Sequence, residues 1–120
     1  MPPGTRFANL VNDAKSRIKE VTPQEAAARQ SQGALLIDVR EGEDFAQEHA
    51  RGARHLSKGI VELKIEQQAP DPATPIVCYC GGGSRSALVA DNLQKMGYTQ
   101  VASLAGGFKA WKEAQLPTES

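Results

Sequence analysis

The residues with the clearest capacity for chemistry surround Cys80. This cysteine directly follows a short apolar run, residues 75–79, and three consecutive glycines come after it, Gly81, Gly82 and Gly83. The run predicts a buried parallel strand, and the glycines allow the backbone to curl around a sulfur without Cβ clashes. A helix predicted for residues 84–96 would direct its positive end at the same loop. Because thiol pKa values fall well below about 8.5 in such positive settings, the sequence predicts that Cys80 is a thiolate nucleophile.

Three polar residues open the predicted helix and are predicted, together with the three glycines, to bind a substrate. Arg85 places a positive charge beside a helix N-terminus, which is unfavourable. We therefore expect Arg85 to have a compensating partner and to shape or charge the pocket. Ser84 and Ser86 are placed to bond the loop or the sulfur, and capping of the helix explains at least one of them equally well.

Other polar residues are predicted to support the structure. Asp38 and Arg40 follow a buried strand, where unpaired charges are costly, so we interpret them as an ion pair or loop anchor. His49 is a possible general base, but attack by a preformed thiolate needs none, and a structural histidine is the favoured interpretation.

The second cysteine, Cys78, lies two positions before Cys80, so both side chains would share one face of a regular strand. Core packing is favoured for Cys78, with a resolving thiol as the alternative. A metal site built from both cysteines, His49 and His55 matches no common zinc spacing, so no metal and no cofactor are expected.

The elements that must position Cys80 alternate between helix and strand. Besides the strand and helix that flank Cys80, helices are predicted near residues 7–18, 23–30, 43–49 and 58–67 and after Gly106, and strands near residues 21, 34–39, 55 and 101–104. The first of these helices rests on apolar residues spaced by three and four, namely Phe7, Leu10, Val11, Ala14 and Ile18. The fold class is therefore α/β, a parallel sheet of about five strands flanked by helices on both faces. Residues 1–20 are expected to form an extra N-terminal amphipathic helix, and residues 21–120 the domain itself.

Composition restricts the classes of partner. The 120 residues suit one domain, and 14 basic side chains balance 14 acidic ones without a charged tail, which argues against nucleic-acid binding. The sequence shows neither the run of about 20 apolar residues that crosses a bilayer nor a secretory signal pattern. Two closely spaced cysteines do not make a disulfide framework, so reduced thiols and a cytoplasmic location are expected.

Four motifs, in order along residues 21–117, resemble those of the rhodanese domain family. The segment from Cys80 to Arg85 resembles its active-site loop Cys-x-x-Gly-x-Arg, and residues 38–40 resemble its Asp-Val-Arg. Residues 49–53 are similar to its Gly-His-Ile-x-Gly-Ala segment, and residues 106–111 to its Gly-Gly-x-x-x-Trp ending. Three positions in and beside the segment of residues 49–53 depart from the family pattern: Glu48, Ala50 and Arg51.

The resemblance implies a ping-pong sulfur transfer. Cys80 would take the outer sulfur of a donor such as thiosulfate, become a persulfide, and pass the sulfur to a thiol or cyanide. A sulfur-carrier protein is a further candidate partner that the resemblance suggests.

Other functions remain as alternatives. A small cysteine phosphatase shares the strand, loop and helix, but its Cys-x5-Arg loop is one residue longer, and the shorter loop suits a single sulfur better than a tetrahedral phosphate. An arsenate reductase is a related alternative. A non-catalytic rhodanese-like binding module is another, although such modules typically lack the cysteine that this chain keeps.

Overall fold

A computed structural model describes residues 4–120, and within them the chain forms seven strands and six helices. The strands are β1 (Lys19–Val21), β2 (Leu35–Asp38), β3 (His49–Ala50), β4 (Arg54–His55), β5 (Ile76–Tyr79), β6 (Val101–Leu104) and β7 (Thr118–Glu119). The helices are α1 (Arg6–Lys15), α2 (Pro23–Ser31), α3 (Gly42–Gln47), α4 (Val61–Gln68), α5 (Ser84–Lys95) and α6 (Gly107–Glu113). No helix among the described residues is long and apolar enough to cross a membrane.

Five strands form a parallel sheet in the order β1-β6-β5-β2-β4. The central strand β5 is buried along its whole length, which is why its sequence is a continuous apolar run without polar alternation. Because β5 is the central strand, its carboxyl end lies in the middle of the row formed by the carboxyl ends of the five strands. Open α/β sheets bind their ligands at this end.

Helices cover both faces of this sheet, as the sequence predicted. On one face, α4 and α5 contribute the buried residues Val61, Ile65, Val89 and Leu93 to a single apolar cluster. On the opposite face, α2 and α6 contribute Ala26, Phe108 and Trp111 to a second cluster. The α/β fold class with its five-stranded parallel sheet is confirmed.

Helix α1 exists, but its buried face differs from the predicted one. Its buried residues are Ala8, Val11 and Ala14, whereas Phe7 and Leu10 are 42% and 54% exposed. The buried face of α1 packs against α5. Small side chains at such a contact allow two helices to approach closely, so this face is buried in preference to the one with the larger apolar side chains. The helix ends before Ile18, which packs against the core from the following turn. The division of the chain at residue 20 stays a prediction.

The sequence did not predict the two short strands β3 and β7, and it placed His49 at the end of a helix. β3 pairs with β7 in antiparallel register, His49 opposite Glu119 and Ala50 opposite Thr118. The pair fastens the C-terminal segment to the loop before β4. Two-residue strands carry no readable periodicity, because alternation needs at least four residues to appear.

Candidate active site

Cys80 lies directly after β5 and is only 2% exposed. Its Sγ accepts a hydrogen bond from the Gly83 N–H at 3.1 Å and another from the Ser86 N–H at 3.4 Å. The Ser86 hydroxyl oxygen lies 3.5 Å from the same sulfur. Backbone and side-chain donors therefore converge on one atom, as they do at an anion site.

Two opposing effects set the pKa of Cys80. Burial raises it, because the thiolate loses hydration. The hydroxyl and N–H of Ser86, together with the N–H groups of Gly83 and Gly82, favour the charged form, and they outweigh burial. The pKa of Cys80 thus lies below the ordinary value for a thiol, so the loop favours a nucleophilic thiolate.

Of the three loop glycines, only Gly83 has a backbone conformation that favours glycine over other residues. Gly83 has φ +101°, and a Cβ there would lie 3.2 Å from the Gly106 nitrogen. A Cβ at Gly81 or Gly82 would instead meet nothing within 4 Å. These two positions therefore leave open space beside the loop.

The first turn of α6 holds the loop from the other side. The Phe108 N–H donates to the Cys80 carbonyl at 2.7 Å, and the Lys109 N–H donates to the Gly81 carbonyl at 3.2 Å. Gly107 has φ +58°, and a Cβ there would lie 2.5 Å from the Cys80 oxygen and 2.7 Å from the Gly81 oxygen. Sequence reasoning assigned Gly107 to a motif but missed this contact, which depends on chain segments about 27 residues apart.

A second buried hydroxyl stands behind Ser86. Ser103, in β6, is fully buried, and its Oγ lies 2.8 Å from the Ser86 Oγ. Ser103 was not among the predicted site residues. The available signal was a serine in the middle of a buried apolar strand, where a hydroxyl requires a partner.

The remaining loop residues are placed differently from one another. Arg85 is half-buried, and within residues 4–120 it makes no hydrogen bond or ion pair, so the compensating partner expected from the sequence is not found there. Ser84 is the first residue of α5, whose N-cap is Gly83 and has no side-chain cap. Capping by Ser84 or Ser86 is therefore not what the structure shows.

Asp38 and Arg40 form a buried ion pair at the end of β2. The Arg40 Nη2 lies 2.8 Å from an Asp38 carboxylate oxygen and donates to the Glu48 carbonyl at 2.7 Å. The Arg40 guanidinium also lies over the Phe108 ring, 4.4 Å from its centre. The pair thus packs against the residue whose N–H holds the Cys80 carbonyl.

Cys78 and His49 do not take part in the site around Cys80. Cys78 is completely buried, and burial together with the nearby Cys80 raises the pKa of its thiol to about 12. His49 bonds the Phe45 carbonyl and lies 3.3 Å from a Glu119 carboxylate oxygen, away from the loop. Among residues 4–120, no cluster of His, Cys, Asp and Glu is arranged to hold a metal ion.

Comparisons with known proteins agree on a family. The model of the rhodanese-like domain matches residues 22–114. The thiosulfate sulfurtransferase GlpE of Haemophilus influenzae is 41% identical over 102 residues, which span 85% of this chain and 95% of that protein.

Two solved structures extend the likeness to the whole chain. A protein of unknown function from Rhodopseudomonas palustris, named as a possible tyrosine phosphatase, is 31% identical with a TM-score of 0.83 over 99% of both chains. The polysulfide-sulfur transferase homodimer of Wolinella succinogenes is 26% identical with a TM-score of 0.82, covering 94% of this chain and 86% of that one.

Proposed function

This chain belongs to the rhodanese-like domain family and is a sulfurtransferase of that type, and we propose that it carries sulfur as a persulfide on Cys80. The observation that supports this assignment is the pair of N–H groups, from Gly83 and Ser86, that donate to the Cys80 Sγ, with the Ser86 hydroxyl oxygen 3.5 Å from the same sulfur. They favour a thiolate at a buried position, where a cysteine without such donors would stay protonated.

In the first half-reaction, the Cys80 thiolate attacks the outer sulfur of an anionic donor such as thiosulfate. A bond forms between the Cys80 Sγ and that sulfur, the sulfur–sulfur bond of thiosulfate breaks, and sulfite leaves with the electron pair. Arg85 is suited to bind the donor, because no residue of 4–120 neutralises its charge and the first turn of α5 contains no acidic side chain. The α5 N-terminus adds a second positive feature.

In the second half-reaction, a thiolate or cyanide attacks the outer sulfur of the persulfide. The new bond forms to the acceptor, the persulfide bond breaks, and the electron pair returns to the Cys80 Sγ. The hydrogen bonds that stabilise the resting thiolate also stabilise it as the leaving group. A small thiol, cyanide and a sulfur-carrier protein remain the acceptors to be tested.

Intact-protein mass spectrometry tests this proposal directly. Thiosulfate should add the mass of one sulfur atom to the protein, and cyanide should remove it. Cys80→Ser should abolish both events, because an alcohol forms no persulfide. Sulfur transfer that survives in Cys80→Ser would refute the assignment of Cys80.

Cys78→Ala is the matched control. Cys78 is buried and its high pKa leaves it a thiol, so turnover should stay within a few-fold of the parent. The cost should be about 1 kcal/mol in the free energy of unfolding, typical of a modest change in a core. Loss of turnover with the fold intact would instead support a resolving role for Cys78.

Phosphatase activity is the second candidate, because the Rhodopseudomonas palustris relative carries that suggestion in its name. The loop from Cys80 to Arg85 has six residues, one fewer than the phosphatase loop, and the N–H groups of Gly83 and Ser86 already converge on the single Sγ atom. We therefore expect no appreciable hydrolysis of aryl phosphates and no reduction of arsenate. Phosphatase or arsenate reductase activity that disappears in Cys80→Ser would favour those alternatives.

A further inference from the structure

The hydroxyls of Ser86 and Ser103 form an isolated pair behind the Cys80 sulfur. Both residues are fully buried, and their Oγ atoms are 2.8 Å apart. Within residues 4–120, the Ser103 hydroxyl has no other hydrogen-bond partner, whereas the Ser86 Oγ also lies 3.5 Å from the Cys80 Sγ, which donates to it in the thiol form. Ser103 in β6 thus contacts Ser86, and Ser86 in turn contacts the Cys80 sulfur.

The pair contains two hydroxyl hydrogens and a limited set of acceptors. If Ser86 donates to Ser103, the Ser103 hydrogen is left without an acceptor among the described residues, and an unpaired buried donor is costly. If Ser103 donates to Ser86, the Ser86 hydrogen is free to bond the Cys80 sulfur. Once Cys80 is ionised, its sulfur can only accept, and only the second arrangement then gives both hydroxyl hydrogens an acceptor.

We propose that Ser103 is a positioning residue for sulfur transfer, which donates to the Ser86 Oγ and thereby holds the Ser86 hydroxyl hydrogen on the Cys80 sulfur. This inference rests on the proposed role of Cys80 as the nucleophile. Ser103 does not touch the sulfur, so its whole effect passes through Ser86.

The same arrangement serves both half-reactions. Before the attack on the donor, it favours the Cys80 thiolate over the thiol. When the acceptor cleaves the persulfide bond, the electron pair returns to the same Sγ, and the oriented hydroxyl stabilises the departing thiolate. The hydrogen bond between two hydroxyls also polarises the Ser86 O–H, which strengthens it as a donor.

Titration of the Cys80 thiol in the full chain tests the proposal without any substrate. The thiolate is followed by its ultraviolet absorbance as the pH is raised, and the buried Cys78 titrates only far above this range. Ser103→Ala should raise the pKa of Cys80 by about one unit, the effect expected when a hydrogen bond to the charged form is weakened. The pH profile of persulfide formation from thiosulfate should move to higher pH by the same amount and reach the parent's plateau.

Two variants separate positioning from simple loss of structure. Ser103→Thr keeps the hydroxyl and should restore the parent pKa. Ala102→Gly disturbs the neighbouring position of β6, whose side chain joins the cluster on the opposite face of the sheet. It should lower the melting temperature and leave the pKa of Cys80 unchanged.

A double-mutant cycle makes the test decisive. Ser86→Ala alone should raise the pKa of Cys80 at least as far as Ser103→Ala does. Adding Ser103→Ala to Ser86→Ala should then change the pKa no further, because Ser103 acts only through Ser86.

An unchanged pKa in Ser103→Ala, or full additivity of the two substitutions, would overturn the proposed positioning role. Either result would leave sulfur transfer by the parent intact. Sulfur transfer that persists in Cys80→Ser would instead remove the proposed function itself, so the two failures are distinguishable.

Discussion

Burial and hydrogen bonding act in opposite directions on the Cys80 sulfur. Water has almost no access to this atom, so its charge must be stabilised by donors that the fold supplies. Gly83 and Ser86 supply them, and the pKa of Cys80 falls in spite of burial. Cys78 in β5 and Cys80 just after it thus differ in chemistry, since Cys78 lacks these donors and has a raised pKa.

Arg85 gives a prediction at the scale of one residue. Arg85→Ala should lower kcat/KM for thiosulfate by roughly thirtyfold, about 2 kcal/mol, because a cation facing an anionic donor in a partly desolvated site is lost. An aryl thiosulfonate, which carries one negative charge instead of two, should lose less. Arg85→Lys should recover part of the loss with thiosulfate. Steady-state kinetics with both donors decides the matter, and equal losses would mean that Arg85 holds the loop and not the donor.

Helix α6 fixes the position of the reactive loop. Its first N–H groups bond the carbonyls of Cys80 and Gly81, which leaves the loop's own N–H groups free to face the sulfur. The contact between α6 and the loop is so close that only glycine fits at position 107. Helix α6, which the sequence analysis gave no contact with Cys80, therefore acts as a clamp that holds the loop by its carbonyls.

Gly107→Ala tests the clamp at the scale of an element. The new Cβ would collide with the Cys80 and Gly81 carbonyls, so the loop should shift and sulfur transfer should fall by at least about tenfold. Gly97→Ala is the control, since Gly97 also has a positive φ, +105°, but a Cβ there meets nothing within 4 Å. Both variants should lose about 1–2 kcal/mol of stability to backbone strain, Gly107→Ala should lose more because of the collision, and only Gly107→Ala should lose activity. Kinetics and urea unfolding of the two proteins provide the comparison, and equal activities would argue against the clamp.

Across the whole molecule, Arg17 and Asp91 join the N-terminal segment to the helix that follows the loop. The Arg17 Nε and Nη2 donate to the two carboxylate oxygens of Asp91 at 3.1 and 2.8 Å. Asp91 is nearly buried, and the hydrogen bond from Arg17 is the largest cause of its lowered pKa. The turn that follows α1 is thereby joined to α5 by an ion pair, in addition to the packing of α1 itself against α5.

The link predicts a pH-dependent contribution to stability. The folded pKa of Asp91 lies below its unfolded value of about 3.9, so the contribution is fully present above about pH 4. It is lost as the pH falls through the folded pKa. Asp91→Asn should therefore lower the melting temperature by about 4 °C at neutral pH, and the difference should disappear in strong acid.

Glu20→Gln is the control for this prediction. It breaks the more exposed ion pair between Lys15 and Glu20, 3.5 Å apart, and should change the melting temperature much less. Scanning calorimetry of the parent and both variants across pH measures the effect. A difference for Asp91→Asn that grows in acid would contradict the assigned sign.

The sequence by itself determined the fold class and the strand, loop and helix around Cys80. The strand before Cys80, the glycine loop and the helix after it are contiguous, so local propensities and chain order suffice to predict them. The buried runs at residues 34–39 and 75–79 likewise required central strands of a parallel sheet. The motifs shared with the rhodanese family predicted the same arrangement. The catalytic role of Cys80 and the binding role of its loop stay predictions until the sulfur is followed experimentally.

Tertiary structure alone decided which residues meet the loop from elsewhere in the chain. Ser103 reaches Ser86 from the neighbouring strand, and Gly107 reaches the Cys80 carbonyl from the helix beyond it. It also decided that α1 buries its alanines and exposes Phe7, and that β3 pairs with β7. These contacts depend on strand order and helix placement. The spacing of residues along one sequence does not show which distant segments folding brings together, so it could not predict them.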